Sequence, residues 1–145
     1  MRIAISILAI LLFSAVAEAR HFHMPIIITV PGGGGSSSHT KHTTPGKTVQ
    51  LSFYRHLNPD CSPIDGLVVR VSKEPENGRA KVSNVREFPH FHSNDVRHAC
   101  NKRRVSGKVV SYTSKRGFTG QDWVNVEVIT GTGNRGVERF AINVH

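Results

Sequence analysis

Residues 110–128 read VSYTSKRGFTGQDWVNVEV and carry the clearest structural signal in the chain. Within them, residues 124–128 (VNVEV) alternate apolar and polar side chains, which is the period-two pattern of a strand with one buried face. Gly117 and Gly120 lie just before this alternation and allow backbone angles that other residues avoid. The stretch therefore predicts two strands joined by a glycine-containing turn.

The same alternation recurs in short runs along the rest of the chain, each bounded by Gly, Pro, Asn or Asp. No window of about a dozen residues carries the apolar stripe of a helix. Evenly spaced short strands with one buried face are typical of an antiparallel sandwich of about seven strands. We therefore predict an all-β fold. The other alternating runs are centred on Leu51, Val69, Val82 and Ile142.

A set of turn and strand motifs recurs in a recognisable order in the second half of the chain. The motifs are residues 75–78 (PENG), residues 112–114 (YTS), residues 117–122 (GFTGQD) and a closing alternating strand at residues 140–144 (FAINV). The pattern resembles the bacterial Ig-like and cadherin-like repeats of secreted and surface proteins, over roughly residues 66–145. This resemblance implies an Ig-like or cadherin-like β-sandwich.

Three side chains of this pattern have a physical interpretation. Tyr112 and Phe118 would bring two rings to the corner between strands, where burial of ring area holds the crossover. Asp122 follows a turn, where a short carboxylate bonds turn amides before the strand begins. We therefore predict a structural role for Asp122.

The chain departs from the family pattern in two ways. Ser114 stands where the family usually has proline. Calcium-binding relatives carry clustered acidic motifs, whereas the four aspartates here are scattered and cannot by themselves supply the six to eight oxygens of a calcium site. No calcium site is expected.

The first nineteen residues have the form of a bacterial secretory signal peptide. Arg2 precedes an apolar run at residues 3–13, and residues 17–19 (AEA) form a small-x-small cleavage site. The run is too short to cross a hydrocarbon core of about 30 Å. We predict a periplasmic or secreted protein that meets the membrane only through residues 1–19. The alternative is an N-terminal anchor that stays uncleaved.

The composition then shifts before the alternating strands begin. Residues 31–38 (PGGGGSSS) have the composition of a flexible linker, and residues 45–46 (PG) signal a turn. We predict a flexible N-terminal arm with this Gly/Ser linker over residues 20–46, and one sandwich domain over residues 47–145.

The only two cysteines are Cys61 and Cys100. In an oxidising compartment an even pair predicts one disulfide, which would contribute about 4 kcal/mol in the chain-entropy model. A free thiol pair and a metal-thiolate site are the alternatives, although the chain has no C-x-x-C spacing.

The stretch between Asn84 and Gly107 is a long basic insertion for a loop between two strands. Long loops on a rigid β scaffold are where binding function usually resides. The chain has no G-x-S-x-G, H-E-x-x-H or P-loop motif. We therefore predict a protein that is not an enzyme.

Histidines in this insertion suggest a metal site. His90 and His92 have the H-x-H spacing that places two imidazoles on one side of a strand, and His98 or Asp95 would complete a zinc or copper site. His21 and His23 form a second such pair. The competing interpretation is that these are solvated histidines in a basic loop.

The formal charge of +9 and a cluster of cations in and after the insertion suggest anion binding. The leading hypothesis is an exported, non-catalytic binding or adhesion module that contacts anionic polymers or cell-envelope components. The alternatives are a periplasmic zinc- or copper-binding protein and a structural envelope protein without a ligand. No motif supports specific nucleic-acid recognition, and the oligomeric state is open. The predicted anion-binding residues are Arg97, Lys102, Arg103, Arg104, Lys115 and Arg116.

Overall fold

The computed structural model describes residues 36–145, which form seven strands in two sheets and one short 3₁₀ helix. The predicted all-β fold of about seven strands is thereby confirmed. The strands are β1 (Ser36–Thr43), β2 (Thr48–Tyr54), β3 (Val68–Lys73), β4 (Gly78–Glu87), β5 (Val105–Ser114), β6 (Gly120–Ile129) and β7 (Arg135–Val144), and the 3₁₀ helix is His98–Lys102.

Several predictions concern residues before Ser36. The signal peptide at residues 1–19, the His21 and His23 pair, and the first part of the predicted arm lie outside the described residues. Within residues 36–145, no helix is long and apolar enough to cross a membrane.

The core lies between a four-stranded sheet, in the order β1-β7-β6-β3, and a three-stranded sheet, in the order β2-β5-β4. Alternate residues of β5, β6 and β7 face inward, so that Val110, Tyr112, Val124, Val126 and Ile142 are all 0% exposed. Burial of these apolar side chains from both sheets is the main favourable term in folding. The alternation in the sequence is thus the pattern that forms the core.

Strand β1 differs from the prediction in two respects. The predicted flexible arm includes residues 36–43, but these form a regular edge strand, and it pairs with β7 in parallel rather than antiparallel orientation. The strand is held by main-chain hydrogen bonds and by the His39 ring, whose centroid is 5.2 Å from that of Phe140. Its sequence is polar, so hydrophobic periodicity cannot detect it.

The strand directions place the connections at two opposite ends of the sandwich. Strand β5 has ten residues and therefore separates these ends by about 33 Å. We call the end that carries residues 55–67, 88–104 and 130–134 the basic end, and the end that carries residues 44–47, 74–77 and 115–119 the far end.

The predicted disulfide is confirmed. Cys61 and Cys100 are bonded, with their Cα atoms 5.6 Å apart. Cys61 lies in the β2–β3 connection and Cys100 in the 3₁₀ helix of the β4–β5 connection, so the bond joins two connections at the basic end rather than two strands. Cys100 is completely buried.

A buried carboxylate holds the far end together. Asp122, the third residue of β6, accepts hydrogen bonds from the backbone amides of Glu76 (3.0 Å) and Asn77 (2.8 Å). It also accepts one from the Tyr112 hydroxyl at 3.0 Å. Because Tyr112 belongs to the other sheet, Asp122 links both sheets and the β3–β4 turn. The structural role predicted for Asp122 is confirmed, and Phe118 packs against the core as expected.

Removing the disulfide should lower stability without changing the fold. The double variant Cys61→Ser with Cys100→Ser is expected to lose about 4 kcal/mol of unfolding free energy, because the open chain regains loop entropy. Urea unfolding of wild type and variant measures this loss. An unchanged unfolding midpoint would contradict it.

Substitutions in the hydrogen-bond network of Asp122 should lower the free energy of unfolding by unequal amounts. Asp122→Ala leaves buried amide and hydroxyl donors without an acceptor, and we expect a loss of about 3 kcal/mol or more. Tyr112→Phe removes only one donor and should cost about 1 kcal/mol. Equal effects of the two substitutions in chemical denaturation would show that the carboxylate does not organise the turn.

Candidate functional site

The inward face of the three-stranded sheet changes from apolar to polar along its length. Near the far end, the inward cross-strand pairs of β4 and β5 are apolar, for example Val82 opposite Val110. Toward the basic end the same face continues with Asn84 opposite Lys108 and then with residues 86 and 106, an arginine and a serine. Buried charges without partners are costly, so the sheets cannot close over these positions.

A groove occupies the place where the core would otherwise continue. It consists of two adjoining clefts of about 510 Å³ and about 360 Å³ that share Pro63, Arg86 and Ser106. Residues 63–67 form one wall, and β4 and β5 form the other. We call it the basic groove because four basic side chains outnumber two acidic ones in its lining. Its charged residues are Asp60, Asp65, Arg86, Arg103, Arg104 and Lys108.

Each of the three arginines is held by one contact. Arg86 donates to the carbonyl of Arg104 at 3.3 Å, and Arg103 donates to the carbonyl of Asp60. The Arg104 guanidinium lies 5.4 Å from the centre of the Phe88 ring. A guanidinium has five N–H donors, so a single hydrogen bond leaves most of them for an anion. All three side chains are exposed, so the groove is open to solvent.

The β2–β3 connection forms a rigid wall for the groove. Residues 57 and 63 form an isolated antiparallel bridge, and the Ile64 amide donates to the His56 carbonyl at 2.8 Å. The Asp60 carboxylate accepts hydrogen bonds from the Ser62 hydroxyl (2.7 Å) and the Ser62 amide (2.9 Å). These bonds, with the nearby Arg103 charge, lower the pKa of Asp60.

A close glycine contact holds this wall against the β6–β7 turn. A Cβ atom at Gly131 would lie 1.7 Å from the carbonyl oxygen of Asp65. Only glycine allows the two backbones to approach so closely. The three connections of the basic end are therefore joined, by this contact on one side and by the disulfide on the other.

The β4–β5 insertion is folded rather than loose. The Asn101 side chain accepts from the Phe91 amide at 2.7 Å and donates to the Phe91 carbonyl at 2.8 Å. Two guanidiniums lie near the Phe91 ring, Arg55 at 4.5 Å and Arg97 at 4.9 Å from its centre. Burial, and then the Arg97 charge, lower the pKa of Arg55.

Arg97 is itself paired within the insertion. Its side chain donates to both carboxylate oxygens of Asp95, at 2.9 and 3.0 Å. Hydrogen bonding by Arg97 lowers the pKa of Asp95, although partial burial acts in the opposite direction. Arg97 therefore supports the insertion and offers fewer free donors than Arg103 and Arg104.

The structure divides the predicted anion-binding set. Arg103 and Arg104 line the basic groove, and Lys102 is exposed at the end of the 3₁₀ helix. Lys115 and Arg116 lie at the far end, where Lys115 donates to the carbonyl of Glu76 at 2.8 Å. The two groups do not form one patch, because β5 runs the length of the sandwich between them.

Sequence reasoning missed two polar residues of the groove, Asn84 and Ser106. The predicted anion-binding set also omits Arg86 and Lys108, which line the groove as well. The signal was present in the alternation, since residues 82–86 (VSNVR) and residues 106–110 (SGKVV) place polar side chains at inward positions. Which way those positions face becomes clear only from the register of β4 and β5.

Two of the three histidines of the predicted metal site, His92 and His98, make separate local contacts. His92 pairs with the Asn94 side chain at 2.8 Å, and His98 lies 3.4 Å from the Phe91 carbonyl. His90 is exposed and has a positive φ of 54°. In the part of the chain that the structure describes, no three His, Cys, Asp or Glu side chains are grouped as metal ligands.

Comparison with known proteins does not assign a family. No family model matches the chain, and no curated protein matches it. A solved structure described as PbICP-C in complex with falcipain-2 aligns with 80% of this chain and 94% of that chain, at 10% identity and a TM-score of 0.36. A likeness at this TM-score supports no conclusion about fold or function.

The Asp95 and Arg97 pair should make loop stability depend on pH. Because the folded pKa of Asp95 is depressed, its contribution is present above the ordinary aspartate pKa of about 3.9 and is lost as pH falls through the folded value. Asp95→Asn should cost about 1 kcal/mol or less at neutral pH. Thermal unfolding of both proteins between about pH 7 and pH 2 should show the difference vanish in acid. A difference in unfolding temperature that stays constant over this pH range would show that the Asp95 and Arg97 ion pair does not stabilise the insertion.

Proposed function

We propose that this protein is an exported, non-catalytic binding module that holds anionic groups of an envelope or extracellular polymer in the basic groove. The observation that supports this most strongly is that Arg86, Arg103 and Arg104 line one cleft beside the disulfide. Here three guanidiniums share a concave site.

The chemistry of arginine suits such a ligand. The guanidinium is planar, always charged and able to bond two oxygens of a phosphate, sulfate or carboxylate at once. Lys108 adds a fourth positive charge at the other end of the groove. The groove continues from one cleft into the next, so it accommodates successive charged groups of a chain rather than one small ion.

The architecture supports presentation of this site outside the cell. A disulfide in a small β domain is typical of proteins that leave the reducing cytosol. Strands lettered A to G in chain order give the sheets B-E-D and A-G-F-C, which supports an Ig-like topology with the first strand on the second sheet. In that architecture the loops at one end commonly form the binding site.

Paired charge removals at the two ends of the sandwich test the proposal. Arg103→Ala with Arg104→Ala should weaken heparin binding about tenfold or more and flatten its salt dependence, because charge-assisted bonds are lost. The matched control, Lys115→Ala with Arg116→Ala, removes the same charge at the far end and should bind like wild type. Isothermal titration at several salt concentrations measures both.

Two results would overturn the proposal. Equal weakening by the two double variants would show that heparin responds only to net charge. Unchanged binding by the Arg103 and Arg104 variant, with circular dichroism confirming its fold, would exclude the groove.

A further inference from the structure

A second ordered set of arginines lies on the outer face of the four-stranded sheet. Glu127 occupies an outward position on β6, yet its side chain is only 2% exposed because arginines of both neighbouring strands pair with it. These are Arg70 of β3 and Arg135 of β7, whose own side chains remain 61% and 65% exposed. The Arg70 hydrogen bond and both positive charges hold the pKa of Glu127 below its usual range, against the effect of burial.

A third arginine is ordered next to this group by an aromatic ring. Arg139 lies opposite Asn125 in the register, on the same face as Glu127, and its guanidinium is 4.2 Å from the centre of the Trp123 ring. Arg139 is exposed on its outer side. We call Arg70, Trp123, Glu127, Arg135 and Arg139 the arginine face.

The arginine face combines net positive charge with restricted motion. The face carries three guanidiniums and one carboxylate, so two positive charges remain uncompensated. Long side chains normally lose rotamer freedom when they bind, and a partner that meets pre-ordered arginines avoids much of that cost. The buried glutamate and the tryptophan thus act as supports for binding groups.

We propose that the arginine face docks an acidic segment of a partner protein. Glu127 demonstrates that the guanidiniums of Arg70 and Arg135 are arranged to engage a carboxylate. Arginine and tryptophan are the residue types most enriched at the energetic centres of protein interfaces. Aliphatic side chains also reach this face, since Val68 is 46% exposed beside the arginines. A polysaccharide would have less use for that apolar surface.

The site is separate from the basic groove. Its residues lie on β3, β6 and β7, whereas the charged residues of the groove lie on β4, β5 and the two long connections. The two surfaces belong to different sheets, and one is an outer face while the other opens between the sheets. Failure of one proposal therefore leaves the other intact.

Three double variants that each remove two positive charges test the docking face. A fluorescein-labelled hexaglutamate peptide is the probe, and fluorescence anisotropy gives its dissociation constant. Arg135→Ala with Arg139→Ala should weaken binding about tenfold. The basic-groove pair, Arg103→Ala with Arg104→Ala, and the far-end pair, Lys115→Ala with Arg116→Ala, should change it less than about twofold.

The single tryptophan gives an independent readout, because Trp123 belongs to the arginine face and is the only one in the chain. Peptide should shift wild-type tryptophan emission in parallel with the anisotropy change. Three results would each overturn the inference. Peptide binding could weaken equally in all three variants, or it could weaken only in the basic-groove variant. Heparin could also displace the peptide by binding to the arginine face itself.

Glu127→Gln separates ordered recognition from simple charge attraction. The variant gains one unit of positive charge, so attraction alone predicts tighter binding of the peptide. Loss of the buried carboxylate releases Arg70 and Arg135, and the inference predicts binding weakened about threefold or more. Circular dichroism checks that the variant is folded, and tighter binding by a folded variant would overturn the ordering role.

Discussion

The two sheets can close over an apolar core along only part of their length. Inward positions of β4 and β5 carry apolar side chains near the far end and polar or charged ones near the basic end, where Asn84 lies opposite Lys108. Burying that part of the face without partners would cost several kcal/mol for each group. The sheets therefore stay apart there, and the β2–β3 connection, joined by Cys61 to the insertion, forms the wall of a groove instead.

Different interactions stabilise the two ends of the sandwich. At the far end a single buried carboxylate, Asp122, satisfies turn amides and the hydroxyl of a residue from the other sheet. At the basic end the strands offer no such core, and a covalent bond and a close contact at Gly131 hold the connections in place. This division allows charged side chains to gather at one end without loss of order.

The positive charge of the chain is organised rather than uniform. Arginines are ordered in two places, by backbone carbonyls and an aromatic ring in the basic groove, and by Glu127 and Trp123 on the outer sheet face. Elsewhere, as at Lys115, cations take part in local turn contacts. Net charge alone describes long-range attraction, whereas these ordered arginines determine where an anion is held.

By itself the sequence determined the all-β class, the disulfide and the structural role of Asp122, because each depends on local alternation, composition or turn chemistry. It did not indicate β1, since an edge strand held by main-chain bonds needs no apolar pattern. The sequence grouped Arg103 with Arg116 because only twelve residues separate them along the chain. Only the tertiary structure showed that they lie far apart, because the residues between them form mostly an extended strand. Likewise, only the strand register showed that Asn84 faces the groove and that Glu127 faces a pair of arginines.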